Sequence, residues 1–297
     1  MIYEFAVDPA CLNDWQTFRY LIEKFGVSQG RLISAFPRKW LKLVYASCGE
    51  FTFRQKQILQ SELNRVKKYG LCDSSRMYDG TLGWLENALT QHGIKPFHAI
   101  ISMEDDAKNQ VVAAAEMTEA NPLWGTQRTM IVPRKAEDMA ASVSTLLLAS
   151  KHIILIDPHF GPENARHRRP LQAFLTVATK SRTNDMPKVE IHTQVKSTEE
   201  FFRDGCHSKL TNLIPSGLKV RFVRWTSKPG GQPLHNRYIL TNLGGVSFQH
   251  GLDDGGVLET DDVSLLDCES YEQRWKEYTG SDPAFDLLEE PFEIEGR

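Results

Sequence analysis

Apolar positions in the first hundred residues recur mostly at helical spacing. Asp14 to Phe25 carries Trp15, Phe18, Leu21, Ile22 and Phe25 on one stripe before Gly26. Phe53 to Tyr69 places Ile58, Leu59, Leu63 and Val66 together, and Asp79 to His92 does the same with Leu82, Trp84, Leu85 and Leu89. These stripes predict three helices, followed by a short strand from Phe97 to Ser102. The alanine-rich stretch from Glu104 to Gly125 reads as a boundary. The chain therefore divides into a mainly helical domain over residues 1–125 and a second domain over 126–297.

Beyond the boundary the period alternates between two and 3.6. Strands are expected at Thr129 to Val132, His152 to Asp157, Lys188 to Gln194 and Leu218 to Trp225. Helices are expected at Ala136 to Ala149, Arg168 to Lys180, Ser197 to about Ile214 and Ser270 to Tyr278. The run His152-Ile-Ile-Leu-Ile-Asp157 is apolar without interruption and ends on a carboxylate, as buried strands do when they deliver a side chain to a site. Strands alternating with helices predict an α/β layer with a mixed sheet flanked by helices.

Composition narrows the class without naming a chemistry. Of 297 residues, 41% are hydrophobic and 25% charged, and the net charge is −3. That balance gives no whole-molecule basic field, so any nucleic-acid contact must come from local patches. The five cysteines, Cys11, Cys48, Cys72, Cys206 and Cys268, form no CxxC pair, which argues against a disulfide framework or a zinc cluster. No signal segment or apolar run near 18 residues is present, so the expectation is a cytoplasmic chain with no membrane contact. The last four residues, Ile294-Glu-Gly-Arg297, match a protease-cleavage tag and are given no functional weight.

The segment from Leu234 to Gly255 carries the most chemistry. His235 and Arg237 stand two apart on an expected strand, so both are expected to project from one face. An imidazole beside a fixed guanidinium suits a phosphate group. Asp157 and His159, in Asp157-Pro-His159, stand where α/β sheets present functional groups, although an ordinary Asp-capped turn explains them too. Arg168 and Arg169 open a helix and read as an anion clamp, and Asp253 follows the hairpin as a carboxylate that either serves His235 or sits in a solvated turn. Basic residues interleaved with aromatics, as in Arg38, Lys39, Trp40, Lys42 and Tyr45, suit single-stranded nucleic acid, although cations at helix C-termini that complement the dipole explain such clusters better. His192 has no partner at metal spacing, and neither metal nor cofactor is expected.

The run His235-Asn-Arg237-Tyr-Ile-Leu-Thr-Asn242 resembles the phospholipase D superfamily signature, H-x-K-x-x-x-x-D, and the order of elements from about Thr129 to Tyr278 resembles one lobe of that fold. The resemblance implies a phospholipase D-like α/β domain in which the histidine attacks phosphorus, the cation grips phosphate oxygens and the carboxylate supports the histidine. Arg237 stands where lysine is the rule and Asn242 where aspartate is. A guanidinium still fits a phosphate, whereas an amide does not stabilise an imidazolium as a carboxylate does. The expectation is a weakly catalytic or non-catalytic phosphodiester binder, with nucleic acid as its partner. The same resemblance implies a component of a multi-protein assembly of the prokaryotic defence or mobile-element kind. The alternatives are an active metal-independent nuclease or phosphodiesterase using His235, and a purely structural adaptor. A single signature per chain implies that a homodimer mate would supply the second lobe.

Overall fold

The computed structural model describes residues 1–73, 75–180, 182 and 185–297. The chain is α/β throughout and divides between Gln127 and Arg128 into two compact units.

The first unit, Ile2–Gln127, contains a five-stranded sheet, which overturns the expectation of a mainly helical domain. Its strands are β1 (Tyr3–Val7), β2 (Arg31–Ser34), β3 (Leu71–Cys72), β4 (Ala99–Ser102) and β5 (Val111–Ala113), all parallel, in the order β3-β2-β1-β4-β5. None is longer than five residues, too short for a period of two to show.

Three of the four helices of this unit follow the stripes read from the sequence, and Trp40–Ser47 is a further helix that no stripe announced. The four are α1 (Trp15–Ile22), α2 (Trp40–Ser47), α3 (Phe53–Tyr69) and α4 (Trp84–Ile94). Asp14 caps α1 by accepting from the Thr17 amide, and Thr52 with Gln55 forms a reciprocal capping box on α3. The last helix starts five residues later than its stripe predicts. The buried Asn87 amide instead bonds both backbone groups of Asp79 and the Leu82 carbonyl, which fixes 79–83 as a turn. Phe5, Val7, Ile33 and Ile101 pack with Phe18, Trp40 and Leu63 on one face of the sheet. Ala6, Phe36, Ile100 and Val111 pack with Ala88 on the other. Helices α1 to α3 thus share one face and α4 takes the opposite one.

The second unit, Arg128–Arg297, is built on a nine-stranded mixed sheet. Its strands are β6 (Thr129–Pro133), β7 (His152–Ile156), β8 (Lys188–Gln194), β9 (Lys219–Ser227), β10 (Arg237–Thr241), β11 (Gly245–Phe248), β12 (Thr260–Leu265), β13 (Phe285–Leu287) and β14 (Phe292–Glu295). The order is β13-β9-β8-β7-β10-β11-β12-β6, with β14 also pairing β9. Strands β7, β8 and β9 are mutually parallel, and β10 runs antiparallel to β7. The helices are α5 (Ala136–Ser142), α6 (Ser144–Ala149), α7 (Ala165–Thr179), α8 (Glu199–Leu210) and α9 (Cys268–Thr279). The stripe from Ala136 to Ala149 is two helices, because Val143 leaves helical geometry between them.

The C-terminal residues are not a loose tag. Ile294 is buried, pairs with Val220 on β9, and the Gly296 amide donates to the Leu218 carbonyl at 3.0 Å. A Cβ at Gly296 would meet the Ile214 and Pro215 carbonyls at 2.3 Å, so glycine is required there by close approach alone. Among the described residues no helix is long and apolar enough to cross a membrane.

Candidate anion-binding site

Strand β7 is the centre of the second sheet, and its apolar run carries Asp157 to the carboxyl edge of the parallel strands. The Asp157 carboxylate is 4% exposed and fully engaged by backbone. One oxygen accepts from the His159 amide at 2.8 Å, closing a tight turn. The other accepts from the Leu252 amide at 2.8 Å, which staples the segment after β11 to the exit of β7. Asp157 is therefore a positioning group. The turn that it closes leaves His159 exposed at the rim, with Phe160 folded back into the core.

Two cations converge on this rim. Lys196 lies just beyond the end of β8, and its Nζ contacts His159 Nδ1. Arg237 opens β10. Tyr238 pairs with Ile156, so the next step of the ladder sets Arg237 opposite Asp157. The Arg237 Nε is buried and has no hydrogen-bond partner among the described residues. Partial burial, and then the positive charges of Lys196 and Arg237, hold the His159 imidazole below its ordinary pKa, with Asp157 opposing. Burial also lowers the Lys196 ammonium, Asp157 raises it, and Arg237 lowers it further. Three basic side chains thus gather near one carboxylate whose oxygens already accept two backbone amides.

His235 does not sit on the strand with Arg237. Strand β10 begins at Arg237, and His235 precedes it as an exposed residue. Among the described residues no carboxylate is hydrogen-bonded to its ring.

Asn242 lies at the opposite end of β10, roughly 16 Å from Arg237 along the strand. Its side-chain oxygen accepts from the Lys151 and His152 amides at 2.8 and 3.0 Å, so it caps the start of β7. The structure therefore does not bring Asn242 to Arg237.

The arginines read as an anion clamp are consumed by the fold. Arg168 donates to the Pro162 and Glu163 carbonyls, each at 2.7 Å. Arg169 pairs with Asp254 at 2.5 Å. Asp253 is not a spare carboxylate either, since it binds Arg134 at 2.5 Å and Arg166 at 2.9 Å. These pairs lock the 251–255 segment against α7. Gly251 makes the bend, with φ +151 and a virtual Cβ only 2.6 Å from the Asp253 carboxylate.

Lys196 escaped sequence reading because only the β7–β8 register brings it to His159. The signal was the one used for Asp157 and His159, a polar residue just past a buried parallel strand. His192, unpartnered in the sequence, is buried on β8 with its ring against Tyr278 of α9. It accepts from Trp225 Nε1 at 3.1 Å, and Glu190 lies 3.6 Å from its other nitrogen. Among the described residues no group of three or more His, Cys, Asp or Glu side chains is arranged to hold a metal ion.

In comparisons with known proteins, no protein family and no curated protein matches the chain. Among solved structures it is similar to TrmBL2, described as an archaeal chromatin protein with a novel mode of DNA binding. The two share 10% identity over 83% of this chain and 70% of that one, with a TM-score of 0.28.

Proposed function

We propose that the second unit is a phospholipase D-like phosphodiester-binding unit whose partner is the backbone of a nucleic acid. The observation that carries this reading is the buried, unpartnered Arg237 Nε beside the Lys196–His159 pair. A phosphate oxygen supplies the acceptor that Arg237 lacks, and the planar guanidinium suits a tetrahedral oxyanion. Lys196 adds a second, mobile charge from the neighbouring strand end.

Binding rather than cleavage is the better reading of the same site. A histidine nucleophile needs a fixed ring and a group that stabilises its imidazolium. His235 is exposed, stands outside the strand, and has no hydrogen-bonded carboxylate among the described residues. Asn242, the other motif position, is spent on capping β7.

The test is a titration of labelled single- and double-stranded DNA by the full chain across a salt series, alongside a cleavage assay in EDTA. The expected result is binding that weakens as salt rises, with no cleavage. EDTA-resistant cleavage abolished by His235→Ala would establish an enzyme instead. Absence of binding at low salt would leave a structural adaptor.

A further inference from the structure

The nine-stranded sheet of the second unit leaves one edge open. Its order ends on β6, which pairs with β12 and has no further neighbour among the described residues. A free edge presents unpaired backbone groups and is a template for another strand, so native sheets blunt it with charge, proline or a bulge. The far side of the same sheet follows that rule, since β14 carries exposed Glu293 and Glu295. Strand β6, Thr129-Met-Ile-Val-Pro133, has no charged residue, and its proline is the last of the five.

The ladder fixes which backbone groups of β6 are spare. The Arg128 carbonyl accepts from the Leu265 amide at 2.8 Å, and the Arg134 amide donates to the Glu259 carbonyl at 2.9 Å. Bonded and non-bonded pairs alternate in an antiparallel ladder. With Met130 opposite Val263 and Val132 opposite Asp261, the even residues therefore bond to β12. Thr129, Ile131 and Pro133 turn their backbone groups outward. The outward amides belong to Thr129 and Ile131, and the outward carbonyls to Thr129, Ile131 and Pro133, which has no amide hydrogen to offer.

That set is self-complementary. Two copies of β6 laid antiparallel about a two-fold axis at Ile131 set Ile131 against its own mate, and Thr129 against Pro133 of the other copy. The Ile131 pair exchanges two hydrogen bonds, and each Thr129 amide donates to a Pro133 carbonyl. Every outward amide of both strands is then satisfied, and proline falls where it forfeits only a bond to the Thr129 carbonyl. The side chains agree with the register. Ile131 is 71% exposed and would meet Ile131 of the other copy across the axis. Val257 and Leu258, also exposed, lie in the turn that enters β12 beside Pro133 and extend the apolar surface at that end.

We infer that β6 is a dimerisation edge that joins two copies of this chain, through antiparallel β6 strands in register at Ile131, into one continuous sheet. Four main-chain bonds and a small apolar contact make a weak interface, so the dimer forms at high protein concentration. Sedimentation equilibrium of the full chain over a concentration series, with cysteine crosslinking, tests this. The wild-type mass should rise from monomer towards dimer and stop there, because one open edge closes on itself. Ile131→Lys should weaken the association roughly tenfold or more and leave the thermal melt unchanged, the position being exposed. In a Cys268→Ser background, which removes the exposed thiol, Ile131→Cys should form an intermolecular disulfide under mild oxidation, because the paired Cα atoms lie about 5.5 Å apart. Thr129→Cys should not, because its mate is roughly 14 Å away along the strands. A wild-type chain that stays monomeric up to millimolar concentration would overturn the inference. So would an Ile131→Lys variant that associates like wild type, or a disulfide that forms as readily at 129 as at 131.

Discussion

Arg237, the first residue of β10, stands across the ladder from Asp157, the residue that closes β7, yet the two form no ion pair within 4 Å. The carboxylate is spoken for by the His159 and Leu252 amides, and the guanidinium keeps a buried donor unspent. Removing that donor should therefore harm ligand binding more than folding. Arg237→Met is expected to lower affinity for a DNA oligonucleotide at least tenfold while changing the unfolding free energy by less than about 1 kcal/mol. Parallel titration and urea unfolding measure both.

Asp157→Asn should have the reverse signature. The two backbone donors approach different carboxylate oxygens, and in asparagine one of these becomes an NH2 group that cannot accept, so a buried N–H is orphaned. The expected cost is about 1–3 kcal/mol of stability, read by urea denaturation. Hydrogen exchange should show the Leu252 amide losing protection while the amides of β8 keep theirs.

Gly251→Ala should destabilise by more than about 1 kcal/mol. The substitution combines a φ of +151 with a Cβ 2.6 Å from the Asp253 carboxylate. The methyl group would push Asp253 away from Arg134 and Arg166, so the loss should shrink in an Asp253→Ala background. A double-mutant cycle reads the coupling.

Acid should unfold the second unit earlier than its carboxylates alone would dictate. Burial holds the His192 ring below its ordinary value of 6.5, with Glu190 opposing the shift. The unfolded chain then binds the proton that the folded chain refuses, so stability is present above about 6.5 and falls as pH drops below it. Glu190, held well below its ordinary 4.5 by His152, His192 and Lys188 despite burial, adds a further loss through and below that value. His192→Gln should flatten the first phase and leave the second, as followed by thermal melts between pH 7.5 and 4.

What the sequence made legible follows from where each signal resides. The helices α1 and α3 were readable because apolar spacing, caps and terminal glycines lie within one stretch of chain. Strand β7 was readable because it is buried on both faces and so apolar at every position. Strands β1, β2, β3 and β5 were not, because each is five residues or fewer and gains its identity from parallel neighbours far along the chain. At the candidate site, Arg169 pairs with Asp254, and Asp253 with Arg134 and Arg166, all partners far along the chain, while Arg168 turns back on the Pro162 and Glu163 carbonyls. A local reading therefore counted them as free. Lys196 reached His159 for the same reason in reverse, since only the β7–β8 register joins them.

The most direct measurement is the salt dependence of DNA binding by the wild-type chain, Arg237→Ala and Lys196→Ala. The account predicts a linear fall of log K with log salt for wild type, with the slope shallower by about one for each cation removed. Equal slopes in all three proteins, or no salt-sensitive binding at all, would contradict a phosphate held between Arg237 and Lys196.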